Sequence, residues 1–435
     1  MLDIIRSSDA DAVRKLLRAR STALAEAEAV VRPLLDDVRR HGDCAVIRYA
    51  RKFDPLNLRS ADFTVTRDEI RRAHRQVSRE FVAAVKLAAA NIRAAAKRQL
   101  PRPWTCQTQG GVKVAQIVRP LERVACYIPG GRFALPSTVL MSVIPAQVAG
   151  VREVMVTCPR AAAPVLVAAD LLGVSKIFRL GGAQAVAAFA FGTETVPRVD
   201  KFVGPGNRYV AAAKKLVAGE CGIDFIAGPS ELVLVGTRGN PQWIAADLVA
   251  QAEHDSDAVA IFITPSLKLA LQVQAAAGEI IAQLDLPVAR QALAAQGRII
   301  VTRNLGEAAE LVNQLAPEHL TLFDGATELL ERIQSAGSIF LGAFSPVAAG
   351  DYASGTNHIL PTGGVARLRG GLSAADFTKA ISVQRITARG LAGLEKALVT
   401  LANTEGLKAH AYSVECRRAQ KKGSWSSALS AGKNL

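Results

Sequence analysis

The feature that most restricts the fold is a unit repeated from Arg123 onward: a short apolar strand, a turn containing glycine, then an apolar helix. VACYIP leads through Gly130-Gly131 into a helical run that begins at Ser137. Strands over 153–157, 176–179 and 201–203 follow, alternating with helices over 163–172, 183–191 and 208–218. Parallel neighbours need a crossover of this length, and a helix supplies it. The repetition therefore predicts a parallel, doubly wound sheet. A second series starts near Ser230, with strands over 232–235, 259–264, 298–302, 320–323 and 338–341. Its helices are expected after Asn240-Pro241 and over 266–284, 305–315 and 326–336.

The rest of the chain reads as extensions and connections. Residues 1–60 suggest two helices, 10–19 and 22–41, with Pro33 placed to kink the second or to start it. Residues 69–98 read as one long basic helix ended by Pro101 and Pro103. After Ala343 comes a loop over 344–371, rich in Gly, Pro, Ser, Thr and Asn, of a length that usually carries function. Ser373 and Asp376 have the spacing of a capping box. A helix over 391–401 and the segment 405–414 close the ordered part.

Composition narrows the functional class. At 435 residues the chain exceeds one ordinary core, so two domains are expected. No apolar run approaches the length of a membrane span, and residues 1–20 lack the apolar stretch of a secretory signal, so a cytoplasmic protein is expected. The six cysteines are scattered with no CxxC pair, which fits free thiols in a reducing compartment. A net charge of +15 invites nucleic acid as a partner. Yet the Lys and Arg are dispersed along helices without interleaved aromatics, so neither nucleic acid nor membrane is expected to bind. The run 417–435 holds five Lys/Arg and no acid, and reads as a disordered tail.

Chemistry concentrates in the second half. The helix opened by Asn240-Pro241 carries Gln251 and His254 in its last turn, three residues apart and so on one face. Of six histidines, four follow Ala250: His254, His319, His358 and His410. Gln251, His254, Asp351 and His410 would form a mixed oxygen and nitrogen shell suited to Zn²⁺ or a neighbouring divalent ion, although spacing alone does not select that set. Glu318-His319 pairs a carboxylate with an imidazole, which suits proton transfer, or else simply ends a helix before a strand. Gly204-Pro205-Gly206-Asn207 before a helix reads as an anion cradle or as a tight turn.

The segments GPGNRYVAAAK, IDFIAGPSE, DLVAQAEHD, APEHL, GDYASGTNHILPT, GLSAADF and EGLKAHAYSV, in that order, resemble histidinol dehydrogenases over about 33–414. The resemblance implies an α/β protein of two Rossmann-like doubly wound domains, aldehyde-dehydrogenase-like, with helical N- and C-terminal extensions. It places an N-terminal extension at 1–21 and a zinc and substrate domain at 22–125 with 230–372. An NAD-binding domain at 126–229 and a C-terminal arm with the basic tail at 373–435 complete it. It implies a homodimer with one Zn²⁺ per subunit. Gln251, His254 and Asp351 are its ligands from one chain, and His410 is supplied by the partner's arm. Ser230, His319, His358 and Glu405 match substrate contacts, joined by the four metal ligands because the ion itself holds the substrate imidazole and amine. Tyr127, Gln184 and Asn207 match nucleotide contacts, and Glu318 and His319 the catalytic pair. The implied reaction oxidises L-histidinol through L-histidinal to L-histidine with two NAD⁺, the last steps of histidine biosynthesis. The alternative is a zinc and NAD dehydrogenase of the same fold acting on another small alcohol such as a sulfopropanediol. Glu405, which faces a cationic substrate end in the family, favours histidinol. Arg132-Phe133 departs from the small residues usual at that turn.

Overall fold

The computed structural model describes residues 2–18, 23–54, 56–131, 133–226 and 228–418. The basic tail after Arg418, and Arg132, lie outside them. The chain divides into two units, Met1–Leu100 with Pro120–Thr378, and Pro101–Arg119 with Lys379–Leu435. No helix among the described residues is long and apolar enough to cross a membrane.

The first unit contains both expected parallel sheets. One has five strands in the order Lys176–Phe178, Glu153–Thr157, Arg123–Tyr127, Lys201–Val203, Gly222–Ile223. The other has six, in the order Asp3–Arg6, Arg298–Val301, Val259–Thr264, Glu231–Val235, His319–Leu322, Ser338–Leu341. In each, the first strand of the repeated series lies inside the sheet, and later strands are added on both sides of it. The winding reverses between Arg123–Tyr127 and Lys201–Val203, and again between Glu231–Val235 and His319–Leu322. Such reversals leave a crevice at the strand ends.

Side-chain alternation builds a core on both faces of each sheet. Leu232 and Leu234 point to the layer containing Ile244, Leu248 and Val273, whereas Val233 and Val235 point to the layer containing Leu311, Val312 and Leu315. All four strand residues are fully buried. At roughly 1.5–3 kcal/mol for each such side chain, this strand is among the largest contributors to the stability of its sheet. In the five-stranded sheet, Val124 and Cys126 face one layer while Ala125 and Tyr127 face the other. The long helix Ala23–Phe53 covers the latter with Val31 and Val38.

Several expectations are corrected. Asp3–Arg6 is an edge strand, not part of a helical region. The second helix runs on to Phe53, and its break falls at Gly42 rather than Pro33. The long basic helix is two, Arg67–His74 and Arg79–Arg98. Thr66 and Glu69 form a capping box at the first, and the Ser78 hydroxyl accepts from the Phe81 N–H to start the second. The helix expected over 326–336 is a short 3-10 turn, Thr327–Arg332. The loop after Ala343 contains the helix Val347–Tyr352.

The second unit is built from two remote segments. Trp104–Gln109 and Val112–Pro120 form an antiparallel hairpin, and Thr378–Ile386 completes a three-stranded sheet with Val112–Pro120 inside. The helices Ala388–Thr404 and Lys408–Arg418 follow. Ile381, Val383, Leu401, Leu407 and Tyr412 are all exposed.

Asp247, part-buried on the helix Pro241–Ala252, has its carboxyl pushed up to about 6 by burial. The folded state therefore resists ionisation, a penalty absent at low pH that grows as pH rises from the ordinary value of 3.8 to about 6 and is constant above. Asp247→Asn is expected to gain roughly 1–2 kcal/mol near pH 8 and almost nothing at pH ~3. Urea unfolding at both pH values measures this, and an equal effect at the two would refute it.

Candidate functional site

The two sheets contribute opposite edges. The nucleotide candidates cluster at the carboxyl ends of the five-stranded sheet. Tyr127 ends its strand, and its hydroxyl accepts from the Gly182 N–H at 3.3 Å. Gln184 is buried and donates from Nε2 to Asp54 Oδ2 at 2.9 Å. Asn207 caps the helix Arg208–Val217, its Oδ1 accepting from Tyr209 and Val210 N–H at 3.0 and 3.1 Å. Its side-chain NH₂ takes no part in that cap. Gly204 has φ 124°, and a Cβ there would collide with the Tyr127 carbonyl, so only glycine lets these neighbouring turns meet. Tyr127, Gln184 and Asn207 thus share the carboxyl edge of one sheet, and the winding reversal between Tyr127 and Asn207 is where sheets of this kind take a ligand. Asp54 is a part of this edge that sequence reasoning missed. A lone Asp after a helix gives no signal until the fold sets it against Gln184.

The titratable pair lies at the amino edge of the six-stranded sheet, where His319 begins a strand rather than following one. Glu318 and His319 are buried. Both are fixed by the backbone of one residue across the strand pair. Glu231 N–H donates to Glu318 Oε2 at 2.7 Å, and Glu231 C=O lies 3.2 Å from His319 Nδ1. A carbonyl only accepts, so Nδ1 carries the hydrogen. His319 Nε2 then faces Asp351 Oδ1 at 3.4 Å without forming a hydrogen bond. Burial pulls the His319 imidazolium down, but the negative charges of Glu318 and Asp351 close beside it outweigh this and push the group up to about 10. Gly337 allows this arrangement, because a Cβ there would meet the Glu318 carbonyl.

Asp351, on Val347–Tyr352, is the second focus. Burial would raise its carboxyl, yet the neighbouring His319, with the charges of His358 and His254, holds it below the usual range. His358 Nδ1 donates to the Asp351 carbonyl at 2.8 Å, and its Nε2 lies 3.3 Å from Thr138 Oγ1. Thr138 belongs to the helix Pro136–Ala149 beside the five-stranded sheet, so this contact bridges the two sheets directly. The seven-residue connection from Asp224 to Ser230 does the same through the chain.

Gln251 is buried, with its Nε2 lacking a hydrogen-bond partner. The helix ends at Ala252, so His254 lies one turn beyond Gln251 in the following bend, exposed, its N–H 3.4 Å from the Gln251 carbonyl. Asp255 Oδ1 accepts from Asp257 N–H and competes with further helix. Ser230 is part-buried, and its carbonyl accepts from Val259 N–H at 2.9 Å. Glu405 caps the helix Ala388–Thr404 and His410 lies in Lys408–Arg418; both are exposed and belong to the second unit. No three His, Cys, Asp or Glu side chains among the described residues form a ready cation cage. The first unit thus gathers Gln251, His254, Asp351, Glu318, His319 and His358, but not a complete shell.

A buried acid and imidazole beside a nucleotide-type crevice suit oxidation of an alcohol by hydride transfer. Comparison with known proteins points the same way. The sequence pattern of the histidinol dehydrogenase family matches residues 17–418. A histidinol dehydrogenase of Methanothermobacter thermautotrophicus is 47% identical over 395 residues, covering 89% of this chain and 92% of that protein. One from Geobacter sulfurreducens is also 47% identical, over 94% of this chain and 97% of its own length. The crystal structure of histidinol dehydrogenase from Elizabethkingia anophelis superposes with a TM-score of 0.91 at 36% identity, covering 97% of this chain and 99% of that one. With the catalytic-type pair, the nucleotide-type crevice and this likeness along almost its whole length, the chain belongs to the histidinol dehydrogenase family, oxidoreductases of histidine biosynthesis.

Proposed function

We propose that this enzyme oxidises L-histidinol to L-histidine in two NAD⁺-dependent steps at one zinc-containing site, in the cytoplasm. The observation that carries the reading is the state of His319, whose Nδ1–H is committed to the Glu231 carbonyl while Nε2 has no hydrogen-bond partner. Such an imidazole is oriented to exchange a proton through Nε2 alone. The named relatives favour histidinol over another small alcohol.

The donor set fits zinc. A half-turn of the Gln251 amide puts its carbonyl oxygen where the unpartnered Nε2 now lies, and Asp351 supplies a carboxylate with His254 close by. Gln251, His254 and Asp351 would hold the ion, with His410 of the partner subunit as the fourth ligand. Bound zinc supplies a fixed charge that anchors the substrate imidazole and amine, a template role. The apolar side chains exposed on the second unit support a homodimer, because a second copy would cover them. Ser230, His358 and Glu405 contact substrate, and Tyr127, Gln184 and Asn207 contact NAD.

In the first oxidation, His319 Nε2 accepts the hydroxyl proton as a hydride leaves the carbinol carbon for nicotinamide. Glu318 then takes a proton from the water that adds to the aldehyde while His319 Nε2 returns its proton to the aldehyde oxygen, giving the hydrate and a neutral imidazole. His319 accepts the hydrate's proton as the second hydride leaves, and the carboxylate forms. Commitment of Asp351 to a cation withdraws one of the charges that hold a proton on His319.

Dialysed protein reloaded with Zn²⁺ is expected to give two NADH per L-histidinol, with the yield abolished by chelation. One NADH with release of aldehyde would place the fault at the Glu318 water-activation step and overturn the four-electron reading, and none would sink the proposal. The shared site has its own test. His410→Asn and Glu318→Gln, each inactive alone, should regain activity when mixed, since one of the two sites in the heterodimer keeps both native residues. Absence of recovery after confirmed subunit exchange would exclude a ligand from the partner.

A further inference from the structure

Beneath the Gly204–Asn207 turn lies a buried ion pair that the chemistry above does not use. Lys214, on the helix capped by Asn207, pairs with Asp224, and both side chains are almost completely buried. The two residues grip opposite ends of one glycine. Gly204 N–H donates to Asp224 Oδ2 at 2.8 Å, and Lys214 Nζ donates to the Gly204 carbonyl at 3.0 Å. Asp224 is itself held, since its Oδ1 accepts from the Phe225 N–H at 2.8 Å and its carbonyl accepts from Arg369 at 2.5 Å. Phe225 lies below both cations, its ring centroid 5.8 Å from Lys214 Nζ and 5.2 Å from the Arg369 guanidinium.

We infer that Lys214 and Asp224 are positioning residues for the dinucleotide: together they fix the two peptide groups that flank Gly204, and through them the Asn207 cap that receives NAD. The inference rests on the nucleotide reading of this turn. Two physical points support it. Gly204 is in the left-handed region and pressed against the Tyr127 carbonyl, so its peptide has little freedom and needs partners in that one orientation. A buried pair is also a weak source of net stability compared with apolar residues of the same size, so retaining one calls for another explanation, and orientation of a peptide supplies it. Neither residue reaches the crevice, so they act through the loop rather than on substrate.

The test separates neutralisation of charge from fixation of the peptide. Lys214→Met alone strands a buried carboxylate and is a poor probe. The double variant Lys214→Met/Asp224→Leu removes both charges, and Lys214→Met/Asp224→Asn restores an acceptor for the Gly204 N–H. The first is expected to raise KM for NAD about tenfold with kcat and KM for histidinol within about twofold, and the second to recover part of the loss. Hydrogen exchange of the segment 203–207 in the NAD-free protein should quicken in the first variant. Asn207→Ala serves as the reference for the site itself. If Asn207→Ala raises KM for NAD while both double variants match the parent, the positioning inference is wrong. If all three leave KM for NAD unchanged, the nucleotide reading of the turn fails and the inference with it.

Discussion

The backbone of one residue organises the catalytic edge. Glu231 begins the central strand of the six-stranded sheet, and its N–H and C=O hold Glu318 and the His319 imidazole respectively. A backbone group inside a parallel ladder has almost no freedom to move. The side chains it binds inherit that rigidity, which a loop could not supply. The strand in turn is held by its neighbours, Val259–Thr264 on one side and His319–Leu322 on the other. Sheet stability and orientation of the acid–base pair are therefore parts of the same hydrogen-bond set.

The second constraint is direction. Ligands of doubly wound sheets ordinarily gather at carboxyl ends. Here the nucleotide-type turns obey that rule in one sheet, while the acid–base pair occupies the amino edge of the other. The connection Asp224–Ser230 explains the pairing, since it leaves the carboxyl edge of the first sheet and enters the amino edge of the second. Thr138 with His358, and Asn357 with the Met141 carbonyl at 2.7 Å, hold the approach from the other side. Hydride transfer needs a donor carbon and an acceptor ring at contact distance, and opposed edges provide for it.

Much of this was legible in the sequence, for specific reasons. The runs at 232–235 and 259–263 are apolar throughout because both faces of a parallel sheet are covered. Asn240-Pro241 announces a helix start, and the structure places the cap there, Asn240 Oδ1 accepting from Gln242 N–H. The hairpin was not legible, since WTCQTQ is polar and exposed along its whole length and shows no alternation beyond its Gly110-Gly111 turn. Asp3–Arg6 is four residues long, too short for a period to register. Asp54, Asp224 and Lys214 carry no local signature. Their roles arise from contacts between segments more than a hundred residues apart, or across a turn whose geometry no spacing encodes. His319 was placed just before a strand by its position after Pro317-Glu318, and the structure starts the strand at His319 itself, but which partners meet it there depends on how the two sheets are joined.

The split origin of the three-stranded sheet bears on synthesis. Its hairpin leaves the ribosome well before Thr378–Ile386, the strand that must pair with Val112–Pro120. At ordinary elongation rates of about 5–20 residues per second, the delay is on the order of tens of seconds. An isolated hairpin is marginal in water, and its open edge can template pairing with another nascent chain. The edge left waiting is that of Val112–Pro120, and its exposed Lys113, Arg119 and Pro120 make it poorly adhesive. Selection for a quiet intermediate would favour just such a sequence there, independently of anything the finished enzyme does.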